Sequence, residues 1–227
     1  MPLKPQKTKL DPRVEPYGDN AVLVAYDVLG YSEKASNAIH QLSDTLRDMN
    51  LWTNVVPAYD SLMVTFNPMM IELSSALNTV KTSLNNLSKA KKDKPIKPID
   101  IPVFYGGEDG PDMENICKSS KLTETQIIKR HSSRLYRVCL MGFIPGFAFL
   151  SETDKKLHHP RHATPRLKVA PGSIGIANWQ TGIYGLESPG GWQIIGRTPL
   201  SIFDSKRQEP FALKAGDQVR FIPQGKV

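Results

Sequence analysis

Between Gly142 and Asp204 the chain gathers residue types that bind and polarise small anions. Three arginines each follow a proline or glycine: Arg161 after Pro160, Arg166 after Pro165 and Arg197 after Gly196. A guanidinium holds a carboxylate or phosphate through two parallel N–H donors, which makes the three candidates for a shared anion pocket. The other reading of each is a surface or structural ion pair. Gln180, Thr181 and Tyr184 offer neutral donors and acceptors suited to orienting an amide, or else ordinary loop hydrogen bonds. Around them run Pro145-Gly146-Phe147 and Gly190-Gly191-Trp192, whose prolines and glycines mark tight turns rather than plain strands. These turns are expected to bring backbone amides and side chains to one surface. Phe147 and Trp192 there read as packing or interface residues beside a ligand rather than as reacting groups.

His131 ends an expected helix and has two readings, a favourable interaction with the last carbonyls or a role in catalysis. His158, His159 and His162 lie close in sequence, but no carboxylate or cysteine at useful spacing completes a metal site, so none is assigned. The chain also lacks a Gly-x-x-x-x-Gly-Lys-Ser/Thr loop, a Gly-x-Ser-x-Gly elbow and a dinucleotide fingerprint. Binding groups without an evident nucleophile and base point to a half-site, the rest of which a partner protein supplies.

The elements that must position these residues fall into two blocks, an α+β arrangement. In the first, Gly18-Asp19-Asn20 is a turn and Ala21 to Tyr26 a strand. Ser32 caps a helix whose apolar face is Ala35, Ala38, Ile39, Leu42, Leu46 and Met49. Val55-Val56 and Leu62 to Phe66 read as further strands. Asn67-Pro68 reads as the start of a second helix with Met69, Leu73, Leu77, Val80, Leu84 and Leu87 inward. Two helices on one sheet make an α/β sandwich. The Lys/Pro segment from Lys89 to Pro98 carries more than half of the net charge of +7 and reads as a solvated boundary, dividing residues 1–92 from 93–227.

In the second block, Ile99 to Tyr105 is a strand and Pro111 opens a short helix. Thr123-Glu124-Thr125-Gln126 is a capping box for a helix near 123–131. Strands then follow at Leu135 to Met141, Ser173 to Ala177, Gly191 to Ile195, Leu200 to Phe203 and Gln218 to Ile222. Short strands separated by turn residues indicate a β-barrel.

At 227 residues and 40% hydrophobic content the chain can bury real cores. Cys117 and Cys139 show no paired spacing and read as reduced thiols. With no apolar run of signal-peptide or membrane-helix type, a cytoplasmic protein without a membrane role is expected. The basic residues cluster rather than form a broad patch, so nucleic acid is not an expected partner.

Several segments together resemble the KipI family, also known as allophanate hydrolase subunit 1 or as the B subunit of 5-oxoprolinase. They are Phe143-x-Pro145-Gly146-Phe147-Ala148-x-Leu150, Pro160-Arg161, Pro165-Arg166, Gln180 to Tyr184 and Ser188 to Pro199. Tyr17-Gly18-Asp19, Val56 to Tyr59, Ile101-Pro102-Val103, Tyr105-Gly106-Gly107 and Ala215-Gly216-Asp217 extend the resemblance along nearly the whole chain. It implies a cyclophilin-like β-barrel for the second domain. It also implies a KipA-type partner (the C subunit), a LamB/YcsF-type partner (the A subunit), and ATP-dependent opening of 5-oxoproline, a small anionic substrate, to glutamate by the assembled complex. Two other roles occur among such proteins: inhibition of a sensor histidine kinase, and the carboxyltransferase half of a biotin-dependent urea carboxylase-like or allophanate-processing pair. His162 departs from the family pattern, in which a second arginine often follows Arg161. An ordinary histidine there is mostly uncharged above neutral pH and binds anions more weakly.

Overall fold

A computed structural model describes residues 11–28, 30–87 and 97–225. It divides into two compact units, Met1–Lys92 and Asp93–Val227. Most of the Lys/Pro boundary segment lies outside the described residues.

The first unit is a four-stranded antiparallel sheet in the order β1 (Arg13–Pro16), β2 (Ala21–Ala25), β4 (Ser61–Thr65) and β3 (Asn54–Pro57). Alternation puts Val22, Val24, Leu62 and Val64 on its buried face. Against them pack α1 (Glu33–Arg47), through Ala35, Ile39, Leu42 and Leu46, and α2 (Leu73–Leu87), through Ala76 and Val80. Ser32 accepts the Ala35 N–H and starts α1 as expected.

Two expectations here are corrected. Asn67-Pro68 does not open α2: the Asn67 side chain accepts the Met69 N–H and its carbonyl the N–H groups of Met70 and Ile71, closing a turn. Met69, expected in the core from its spacing, is 90% exposed, and Met49 also reaches the surface. The strand β1 falls in a proline-rich lead that carries no strand signal of its own.

In the second unit seven strands close a barrel in the order β10 (Gln180–Ile183), β7 (Ala148–Glu152), β6 (Leu135–Met141), β13 (Gln218–Gln224), β5 (Ile99–Tyr105), β12 (Gln193–Arg197) and β9 (Ser173–Ala177). The pairs are antiparallel except β13 with β5. Closure removes the sheet edges and fills the interior with Ile101, Val103, Tyr136, Val138, Leu150, Ile174, Ile176, Val219 and Phe221. Helices α3 (Met113–Ser120) and α4 (Glu124–Ser132) add Ile116, Ile127 and Ile128 to this core. Thr123 and Gln126 form the expected capping box. A ribbon of β8 (Arg166–Val169) with β11 (Ser188–Gly190) stands apart from the barrel sheet. Leu200 to Phe203 is not a strand; only an isolated bridge joins Phe203 to Phe211.

On the face of β9 and β10 opposite the barrel interior, Gly175 and Gly182 make room for aromatic rings. A Cβ on Gly182 would lie 3.0 Å from the Trp192 ring and 3.2 Å from the Phe147 ring, and one on Gly175 would lie 2.9 Å from the Trp192 Cβ. Phe147, Tyr184, Trp192, Val169, Ala177 and Ile194 form a second core there.

Candidate functional site

A buried polar arrangement of the barrel unit is built around Asp112, a residue that spacing did not single out. It stands at the N-cap of α3, but its side chain does not cap the helix. Instead the carboxylate, 1% exposed, accepts two hydrogen bonds from Arg166, Nη2 to Oδ1 at 2.6 Å and Nη1 to Oδ2 at 2.8 Å. It also accepts the Ile194 N–H at 2.7 Å, so one side chain ties α3 to β8 and β12. Burial by itself would raise the carboxyl pKa; the hydrogen bonds from Arg166, Ile194 and His162 outweigh it and hold Asp112 below the ordinary carboxylate value.

His162 turns its ring into the same cluster, with Nε2 3.2 Å from Asp112 Oδ1 and 3.0 Å from Arg166 Nη1. One nitrogen cannot donate to the carboxylate and accept from the guanidinium at once, so tautomer and protonation choose between them. In either state His162 braces the Asp112–Arg166 pair. The His162 N–H donates to the Gly191 carbonyl at 2.7 Å, and the Gln193 side-chain amide donates to the Pro160 carbonyl at 3.1 Å. These bonds pin the 160–166 segment over the Gly190-Gly191 turn.

Arg161 projects from that pinned segment. It is exposed and has no hydrogen bond or ion pair among the described residues. Tyr184 lies beneath, 1% exposed, with its hydroxyl packed so closely over Gly190 that a Cβ there would clash with it. Burial pushes the phenol up to about 12, against the opposing pull of the Trp192 N–H, Arg161 and Arg166. At neutral pH it is a neutral hydroxyl under two guanidinium groups. Ser188 Oγ and Gln193 Oε1, both buried, have no partner among the described residues.

Arg197 lies elsewhere, lining an open cleft of about 630 Å³ with Phe104, Leu186, Leu200 and Phe203. Its Nε donates to Asp109 at 2.6 Å. Gly146 (φ +78°) and Gly185 form part of the structure behind this cleft; a Cβ on Gly146 would clash with that of Phe203, and one on Gly185 would lie 2.6 Å from the Gly146 backbone. Pro145 is exposed beside them.

The sequence candidates thus separate. Arg161, Arg166, Tyr184, Gly190, Gly191 and Trp192 come together, whereas Pro145, Gly146 and Arg197 belong to the cleft side. Phe147 and Trp192, 1% and 3% exposed, meet edge to face at 5.4 Å as packing. Gln180 is half-buried at the start of β10, roughly 13 Å along the strand from Tyr184 at 3.3 Å per residue.

His131 and Thr181 are corrected to interior residues. His131 is fully buried, with Nδ1 2.8 Å from the Tyr105 hydroxyl, Nε2 3.0 Å from Thr181 Oγ1 and its ring stacked on Phe221 at 4.5 Å. Burial lowers its pKa to about 3, so it stays neutral and offers no surface to a ligand. Thr181 donates to the Gly175 carbonyl. The other histidines diverge: His158 faces Glu152 at 3.4 Å and His159 the Pro160 carbonyl. Among the described residues no group of three or more His, Cys, Asp or Glu side chains is placed to hold a metal, and no helix is long and apolar enough to cross a membrane.

With this geometry in view, comparisons with known proteins agree with one another. Residues 12–213 match the family described as carboxyltransferase domain, subdomain C and D. The protein from Escherichia coli O157:H7 named as the B subunit of 5-oxoprolinase is 42% identical over 82% of this chain and 84% of its own length. Its namesake from Bacillus subtilis (strain 168) is 33% identical over 92% of each chain. The solved structure of TTHA0988 superposes with a TM-score of 0.78 at 31% identity, covering 91% of this chain. This chain spans only 40% of the length of that one.

Proposed function

The chain belongs to the carboxyltransferase subdomain C and D family, alongside the proteins named as the B subunit of 5-oxoprolinase, and from that premise we propose that it is the B-type subunit of an ATP-dependent 5-oxoprolinase. The observation that carries the reading is Arg161: an exposed guanidinium without a partner among the described residues, acting on the same Tyr184 hydroxyl as a second one fixed by a buried carboxylate. Two cations and one carboxylate leave a net positive site, and 5-oxoproline presents a carboxylate that Arg161 can take with two parallel donors.

Opening the lactam requires a more electrophilic carbonyl carbon; ATP would supply this by passing its γ-phosphoryl group to the amide oxygen as ADP leaves. Water would then add at that carbon, the ring C–N bond would break and phosphate would be released. This chain's residues bind and orient. Arg161 contacts the anion. Asp112 and His162 position Arg166, whose charge helps to hold a developing negative oxygen. The hydroxyl–imidazole contact of Thr181 with His131 is sealed inside the barrel and cannot act as a nucleophile and base, which fits a site completed by companion proteins of the A and C types.

The test is glutamate release from 5-oxoproline with ATP, using this chain purified with its companion subunits. Activity should vanish when this chain is omitted, and Arg161→Ala should raise KM for 5-oxoproline at least tenfold. Assembled subunits that release no glutamate would reject the reading and turn attention to urea-type substrates with a biotin carrier, or to histidine-kinase binding.

A further inference from the structure

The cleft beside Arg197 is wide and largely apolar, with room for a ligand larger than a five-membered lactam. Its volume of about 630 Å³ falls within the roughly 300–1,000 Å³ of sites for larger organic ligands. Its walls carry exposed apolar side chains: Phe104 is 44% exposed, and Leu200 and Leu186 are similarly open. Polar groups gather at one side. Arg197 stands directly across the β5–β12 pair from Phe104, so guanidinium and ring share one face of the sheet. Asp109 accepts both contacts from Arg197 on Oδ1, which leaves Oδ2 and the guanidinium Nη1 without a protein partner among the described residues. An aromatic platform for a flat ring therefore adjoins a donor for phosphate oxygen and a carboxylate oxygen available to a cation.

Resting on the reading of the chain as an oxoprolinase component, we propose that this cleft is the binding site for the magnesium complex of an adenine nucleotide, separate from the Arg161 patch. The base stacks on Phe104, between the aliphatic walls. A phosphate oxygen takes the free Arg197 donor, and Asp109 faces the magnesium ion, which usually keeps several waters and takes one or two carboxylates along with phosphates. A ligand that carries both signs suits the Arg197–Asp109 pair better than a bare anion, which Asp109 would repel. The two sites divide the work, with the acidic lactam on Arg161 and the nucleotide on Phe104 and Arg197.

The test is fluorescence anisotropy of a ribose-labelled ATP analogue with magnesium, on the full chain alone and assembled with its companion subunits. Unlabelled Mg·ATP should compete, while adenosine alone and inorganic triphosphate alone should each compete at least tenfold less well. Phe104→Ala and Arg197→Ala should each weaken binding about tenfold, in line with the loss of one stacked base or one charge-assisted contact. Both side chains are about half exposed, so both variants should fold; Leu200→Trp, which fills the cleft, gives a third independent reading. Arg161→Ala should bind the nucleotide as the wild type does. Absence of saturable binding in both forms, or binding indifferent to all three cleft variants, would overturn the proposal. Nucleotide bound in the cleft with no glutamate released would uphold this site and reject the reaction. Glutamate release with binding indifferent to the cleft variants would do the reverse.

Discussion

Replacing Asp112 by Asn keeps the shape of the side chain and removes its charge, which isolates what the carboxylate does for Arg166. The wild-type pair has contacts of 2.6 and 2.8 Å, and the Ile194 N–H adds a third at 2.7 Å. Removing one partner of a fully buried pair costs about 3–5 kcal/mol. Here the carboxylate is 1% exposed but the Arg166 side chain is 34% exposed, so the stranded guanidinium can turn towards water. An Asn can still accept one hydrogen bond, and the loss should be about 2 kcal/mol, the size of a hydrogen bond to a charged group. Asp112→Ala also orphans the Ile194 N–H and should cost about 3–4 kcal/mol.

Chemical unfolding followed by circular dichroism measures both, and pH supplies the control. The folded-state pKa of Asp112 is depressed, so between it and the ordinary value of about 3.9 the unfolded chain binds more protons. The stabilisation is fully present well above pH 4 and is lost as pH falls through the folded pKa. The gap between wild type and Asp112→Asn should accordingly shrink in acid below about pH 4. A variant within about 0.5 kcal/mol of wild type at pH 7, or a gap that persists unchanged in acid, would refute the argument.

Three further outcomes are expected. His131 is held neutral with a pKa of about 3 against about 6.5 when unfolded, so the unfolded chain binds the extra proton as pH falls from about 6.5 towards 3. Stability should decline by about 1.4 kcal/mol per pH unit in that window, a slope that His131→Gln removes in pH-dependent unfolding. Arg161→Ala should leave the melting temperature unchanged while raising KM, because the side chain has no partner to lose among the described residues. Gly190→Ala drives a methyl group into the Tyr184 hydroxyl and should cost about 1–3 kcal/mol, read by thermal unfolding, because the buried ring has little room to move.

What the sequence determined on its own is local. The apolar faces and caps of α1 and α4, the capping box at Thr123 and Gln126, and strands β6 and β9 follow from periodicity and side-chain chemistry within a few residues. The glycine- and proline-rich motifs mark where the turns crowd together, and they carry the family resemblance. Local signals misled at Asn67-Pro68, where an Asn side chain and a proline suit a turn as well as a helix start, and so sent Met69 to the core instead of the surface. Short strands such as β8 and β11 contain glycine, proline and lysine, and only their pairing with each other makes them strands. Tertiary structure alone decided which arginine is free among the described residues. Arg166 and Asp112 are 54 residues apart and Arg197 and Asp109 are 88 apart, so nothing local assigns those partners. It also decided that His131 points into a sealed barrel rather than a site, because burial depends on what the other strands bring around a residue.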